Sequence, residues 1–129
     1  MVFNLYPLAV AVALSACGQG PVRVDVSGEA DDLHFTTVSP DASDLACADK
    51  VSVMPVAPED AEPMWQVMAV DQARCIVTIR YGEPTANFAE RAPATPLRPG
   101  VAYRVRISGV GFSVVRDFSL TAKGVEVQD

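Results

Sequence analysis

The sequence predicts an all-β chain folded as a single antiparallel β-sandwich. Three observations carry that prediction. Apolar side chains recur at every second position in several short runs, which is the period at which a strand shows its residues to alternate faces. Ten prolines and eight glycines punctuate those runs, supplying the fixed and left-handed backbone that turns need. No window of about a dozen residues keeps a capped apolar stripe of helical period. About seven short strands at this spacing predict two packed sheets.

The elements follow in order. Val22, Val24 and Val26 alternate with Arg23, Asp25 and Ser27 and give a first strand. His34, in Leu33-His34-Phe35, reads as a partly buried histidine flanking a short strand. Residues 50–56 and 64–70 supply two more, the second carrying Trp65. Cys75, Val77, Ile79 and Tyr81 share one parity and Ile76, Thr78 and Arg80 the other. Tyr103, Val105 and Ile107 against Arg104, Arg106 and Ser108 repeat the pattern more cleanly. Phe118 and Leu120 belong to a last long hairpin, whose turn lies at residues 109–111 or at residues 113–116.

Residues 2–14 form a 13-residue apolar run broken by Asn4 and Pro7. Crossing a bilayer takes about 20 apolar residues, so the run has the length of a signal peptide. It ends in Leu14-Ser15-Ala16-Cys17, which resembles the lipobox of bacterial lipoproteins. The resemblance implies that residues 1–16 are a removed signal peptide and that Cys17 is acylated on its thiol and its amine. Residues 17–21 are then a lipidated tether and residues 22–129 the sandwich domain. Several acyl chains anchor stably where one binds reversibly. Gly18 stands where an aspartate would retain a lipoprotein in the inner membrane, so the expected place is the outer membrane, facing the periplasm.

The chain has three cysteines. With Cys17 assigned to lipid by that resemblance, Cys47 and Cys75 remain as an even pair and are expected to form a disulfide in an oxidising compartment. The alternatives are two buried thiols or a metal pair. Twenty-seven residues separate the two and His34 is the one histidine, which resembles no zinc spacing.

The segment Leu97-Arg98-Pro99-Gly100-Val101-Ala102-Tyr103-Arg104-Val105 is similar to the start of the penultimate strand in fibronectin type III and related immunoglobulin-like domains. There a leucine, a Pro-Gly turn and a tyrosine form a corner, the ring packing inward while the hydroxyl bonds to the chain upstream. The resemblance implies structural roles for Leu97, Pro99, Gly100 and Tyr103, a core position for Trp65, and a strand ending at Tyr81 that packs near it. Tyr81-Gly82-Glu83-Pro84, continuing through Phe88 to Pro99, also resembles a pattern of small uncharacterised proteobacterial lipoproteins, which implies no activity.

Catalytic constellations are scarce. His34 with Asp31, Asp32, Ser39 and Ser43 formally supplies parts of a triad, but triads are made by geometry and not by neighbourhood, and no strand-to-helix nucleophile elbow is present. Glu59, Asp60 and Glu62 lie in a proline-bracketed loop, where paired carboxylates lack the rigid cleft that glycoside chemistry needs. Asp41, Asp44 and Asp49 lack the glycine and terminal glutamate of an EF-hand loop. Met54, Met64 and Met68 read as core filler more readily than as copper ligands. No catalytic residue, metal site or cofactor is assigned.

Charge carries one further pattern. Residues 18–71 hold eleven acids and two bases, while residues 72–129 hold five acids and eight bases. With Tyr103, Val105 and Ile107 facing inward, Arg104 and Arg106 face out, and Arg80 faces out from a strand expected beside theirs. Three guanidiniums then make a basic patch on one sheet for an envelope protein or an anionic envelope component. The alternative is cross-strand pairing with Glu83 or Asp117. A chain of net charge −6 with so small a patch is a poor nucleic-acid binder. The sequence therefore predicts a lipid-anchored envelope binding or structural module and no enzyme. Two other readings are a small hydrolase or metal-dependent enzyme built on His34, and an inhibitor or chaperone acting through a protruding loop at residues 83–99.

Overall fold

A computed structural model of the protein describes residues 21–41, 43–84 and 87–128. The expected lipobox, Cys17 and the expected tether up to residue 20 lie outside the described residues. Nine strands are present among the described residues: β1 (Arg23–Glu29), β2 (Asp32–Val38), β3 (Lys50–Pro55), β4 (Trp65–Ala69), β5 (Thr78–Arg80), β6 (Phe88–Ala92), β7 (Ala102–Gly109), β8 (Phe112–Thr121) and β9 (Gly124–Gln128). They form two antiparallel sheets, one of three strands in the order β1-β2-β5 and one of six in the order β6-β4-β3-β7-β8-β9. With β1, β2 and β5 as strands A, B and E and β3, β7 and β8 as C, F and G, the arrangement is that of an immunoglobulin-like sandwich. The additional strands β4, β6 and β9 widen the second sheet.

The period-two pattern explains the packing. In β2, Leu33, Phe35 and Thr37 are buried while His34 and Thr36 alternate outward. In β7, Tyr103, Val105 and Ile107 are buried, and Phe118 and Leu120 of β8 are buried on the same face of the sheet. Phe35 of the small sheet meets Phe118 of the large one with ring centroids 5.7 Å apart, which joins the two layers into one core with Val24, Val51, Val53, Trp65, Val67 and Ile79. Tyr103 packs beside Phe118, and its hydroxyl accepts a hydrogen bond from the Arg98 backbone N–H at 2.8 Å. That is the expected corner, closing over the Pro99-Gly100 turn.

The chain crosses between sheets after β2, after β4 and after β5. Cys47 and Cys75 form a disulfide that ties the first two crossings together. Around it, Ala48 N–H donates to the Ile76 carbonyl at 2.9 Å and Thr37 N–H to the Val77 carbonyl at 2.9 Å. The Thr37 hydroxyl donates to the Ala46 carbonyl at 2.6 Å, so the buried backbone of the crossing has partners.

Several expectations are corrected by these crossings. The strand expected over residues 75–81 is confined to Thr78–Arg80. Cys75 is exposed while Ile76 packs against the core, because residues 75–77 are spent passing from one sheet to the other. Residues 83–99 contain β6, which pairs with β4, and Thr95 N–H donates to the Met64 carbonyl at 2.9 Å. The segment is therefore tied to the sheet and does not form one protruding loop. Of the two turn positions expected for the final hairpin, residues 109–111 hold it, at Val110-Gly111, since Gly109 pairs with Phe112, and β9 follows it.

Candidate functional site

The outer face of the six-stranded sheet is built by the residues that the alternation turns away from the core. Arg104 stands across from Asp117 and Met54, and Arg106 across from Val115 and Ser52. The Arg104 guanidinium grips Asp117 through two bonds, Nε to Oδ1 at 2.7 Å and Nη2 to Oδ2 at 3.0 Å. This bidentate pairing holds the Arg104 proton more firmly than usual, mainly through the Asp117 hydrogen bond, with Glu59 adding a weaker attraction. Arg106 is exposed beside half-exposed Val115 and makes no ion pair among the described residues. Arg104, Val115, Asp117 and Gln128 help to line an open depression of about 410 Å³.

The structure separates the third arginine from these two. Arg80 lies on β5, which pairs with β2 in the small sheet, directly opposite His34. The three arginines thus do not form one patch, because a three-residue β5 completes the small sheet and never reaches β7. Arg80 binds Glu83 and also places Nε 3.0 Å from Asp32. These carboxylates, Glu83 first, raise the affinity of Arg80 for its proton. Asp32 is a partner that sequence reasoning missed; the hairpin alternation through Leu33 and Phe35 places it beside His34 and was the available signal.

The other candidates are dispersed. His34 Nε2 is 3.6 Å from Asp32. Ser39 lies five residues farther along the chain, roughly 16 Å away at strand spacing, and the Ser43 hydroxyl donates to Asp41 at 2.9 Å. That contact, with the Ser43 backbone N–H first, holds the Asp41 carboxyl below its ordinary range. The histidine and the serines are not brought together as a triad. Met54 and Met68 lie on β3 and β4 of the large sheet, away from His34. No cluster of three metal-ligating His, Cys, Asp or Glu side chains occurs among the described residues.

Trp65, Tyr81 and the corner residues occupy structural positions. Trp65 is wholly buried, and its indole N–H donates to Glu90 Oε2 at 2.9 Å, an acceptor that the sequence pattern did not reveal. Tyr81 packs edge-on to Trp65 at 5.2 Å and its hydroxyl donates to the Thr95 carbonyl at 2.6 Å. Burial raises the Tyr81 phenol to about 12, partly offset by the Thr95 contact. Leu97 packs against the same core.

Compared with known proteins, the chain matches no family model, and no curated protein or solved structure shows significant similarity to it.

Proposed function

We propose that this protein is a lipid-anchored binding or structural module of the outer-membrane envelope, held at Cys17 and facing the periplasm. The observation that carries the reading is the pairing of the cysteines. Cys47 and Cys75 are joined, which leaves Cys17 as the one thiol of the chain outside the disulfide. A structural disulfide suits an oxidising compartment, and the remaining cysteine is the one that ends the lipobox. Labelled palmitate incorporated in cells should be lost in Cys17→Ser; incorporation that survives the substitution refutes acylation at this residue.

In this reading the module binds and carries out no chemistry of its own. Its contact surface is the outer face of the large sheet, with Arg106 as the cation open to a carboxylate or phosphate group. Arg104 shapes that face but gives its fork to Asp117. A photo-crosslinking residue placed at Arg106 in living cells should capture an envelope partner that the same residue at Thr36, on the opposite sheet, does not. Identical products from both positions would remove the face from consideration.

A further inference from the structure

We infer that the end of the sandwich where the chain enters β1 rests on the bilayer surface, with Leu45, Val70 and Val110 as its apolar contacts. This rests on the anchoring reading above. The three most exposed large apolar side chains among the described residues are Val110, Val70 and Leu45, at 87%, 72% and 62%. They come from three connections far apart in sequence: the β7–β8 turn, the segment after β4, and the crossing after β2.

Register places all three at one end. Val110 follows Gly109, the last residue of β7, and Asp49 N–H donates to the Ser108 carbonyl. The Asp49 carbonyl in turn accepts from Ala69 N–H, next to Val70. Leu45 and Val110 together line two adjoining surface cavities of about 230 and 260 Å³. Val22 lines the first of these, and Pro21 and Val22 line a third of about 490 Å³ beside Gly111. The start of the described chain is thus at the apolar end.

The reach of the chain supplies the occupant. Four residue steps separate Cys17 from Pro21, which span at most about 14 Å even when extended. A headgroup layer is roughly 6 Å deep, so an acylated Cys17 holds this end at the membrane surface. The opposite end carries exposed Asp31, Glu59, Asp60, Glu62 and Glu83 and points away. Asp41, Asp44 and Asp49 at the apolar end oppose a strongly anionic surface and suit the ammonium groups of a zwitterionic one, so the lipid surface inferred is zwitterionic.

The chain from Cys17 onward contains the whole described core from Val24 to Leu120. Coupled through its single free thiol to a maleimide lipid, it is placed in nanodiscs of phosphatidylethanolamine and phosphatidylcholine that carry a headgroup nitroxide. The ten residues of β8 span roughly 30 Å, enough to separate the two ends by relaxation. The amide signals of Leu45, Val70 and Val110 should broaden away while those of Ala30 and Lys123 persist. The double substitution L45D/V110D should markedly reduce the broadening at Val70 and its neighbours with the remaining spectrum unchanged, because the tether then keeps this end near the bilayer without seating it there. Equal broadening at both ends, or a difference that the double substitution leaves undiminished, overturns the inference. Because the anchor is made chemically, failure here is separate from failure of palmitate labelling, which removes the natural anchor instead.

Discussion

The indole nitrogen of Trp65 donates to the carboxylate of Glu90 at 2.9 Å, joining the largest core side chain to the edge strand β6. The bond gives a wholly buried N–H its partner from an exposed residue. Glu90→Leu removes that acceptor and leaves the donor unsatisfied, with an expected loss of about 1–3 kcal/mol. Glu90→Gln keeps a carbonyl oxygen in place and should lose less. Urea midpoints followed by the emission of Trp65 compare the two, and an equal loss in both would mean that the indole contact contributes nothing of its own.

Reduction should act through the crossings. The disulfide closes a loop with a sequence separation of 28, for which chain entropy assigns roughly 3–4 kcal/mol. The Cys47→Ala/Cys75→Ala pair should show that loss in chemical denaturation, and reductant should have no further effect on it. Unchanged stability of this variant would place the stabilisation elsewhere.

Alkaline pH should weaken the fold through Tyr81. Its phenol is raised to about 12 by burial, against an ordinary value near 10. The folded state therefore keeps a proton that the unfolded chain loses earlier. The contribution is complete below pH about 10 and is lost as pH rises through about 12. In Tyr81→Phe the hydrogen bond to Thr95 is gone, lowering stability by about 1 kcal/mol at neutral pH, and the alkaline slope should flatten. Urea midpoints at successive pH values measure both effects.

The β7–β8 hairpin gives a contrast between two glycines. A Cβ at Gly109 would lie 2.2 Å from the Cys47 carbonyl oxygen, so Gly109→Ala must displace backbone next to the disulfide and should lose about 1–3 kcal/mol. Gly111 has a φ of +83° with nothing within 4 Å of a Cβ. Gly111→Ala meets only the left-handed backbone penalty, about 1–2 kcal/mol. Thermal unfolding of both, with and without reductant, should show that the two losses respond differently, because only the first strains the crossing.

Local alternation made much of the fold legible. It exposed β1, β3, β4 and β7 and the inward faces of Val24, Val53, Trp65 and Tyr103, because burying one face of a strand imposes a period of two on the residues themselves. The Tyr103 corner was legible for a related reason, its partner Arg98 being five residues away. β6 escaped notice because it is a short edge strand whose middle residues are exposed, which leaves little apolar periodicity to read, and β9 because its alternation of Val125 and Val127 with Glu126 and Gln128 runs over four residues only.

The arginine face shows where that logic stops. The sequence alone determined that Arg104 and Arg106 point outward together, since both lie on one strand and share its parity. Whether Arg80 joins them depends on which sheet β5 enters, and no local pattern encodes the partner of a strand. Tertiary structure decided it: β5 pairs with β2, Arg80 turns to Asp32 and Glu83, and Asp117 occupies Arg104. Parity is a property of consecutive residues, whereas sheet membership follows from long-range burial of Ile79 against Phe35 and its neighbours. The same division holds at the apolar end. Leu45, Val70 and Val110 are separate loop residues in the sequence, and only the register of β3, β4, β7 and β8 and the disulfide-tied crossings bring them to one surface.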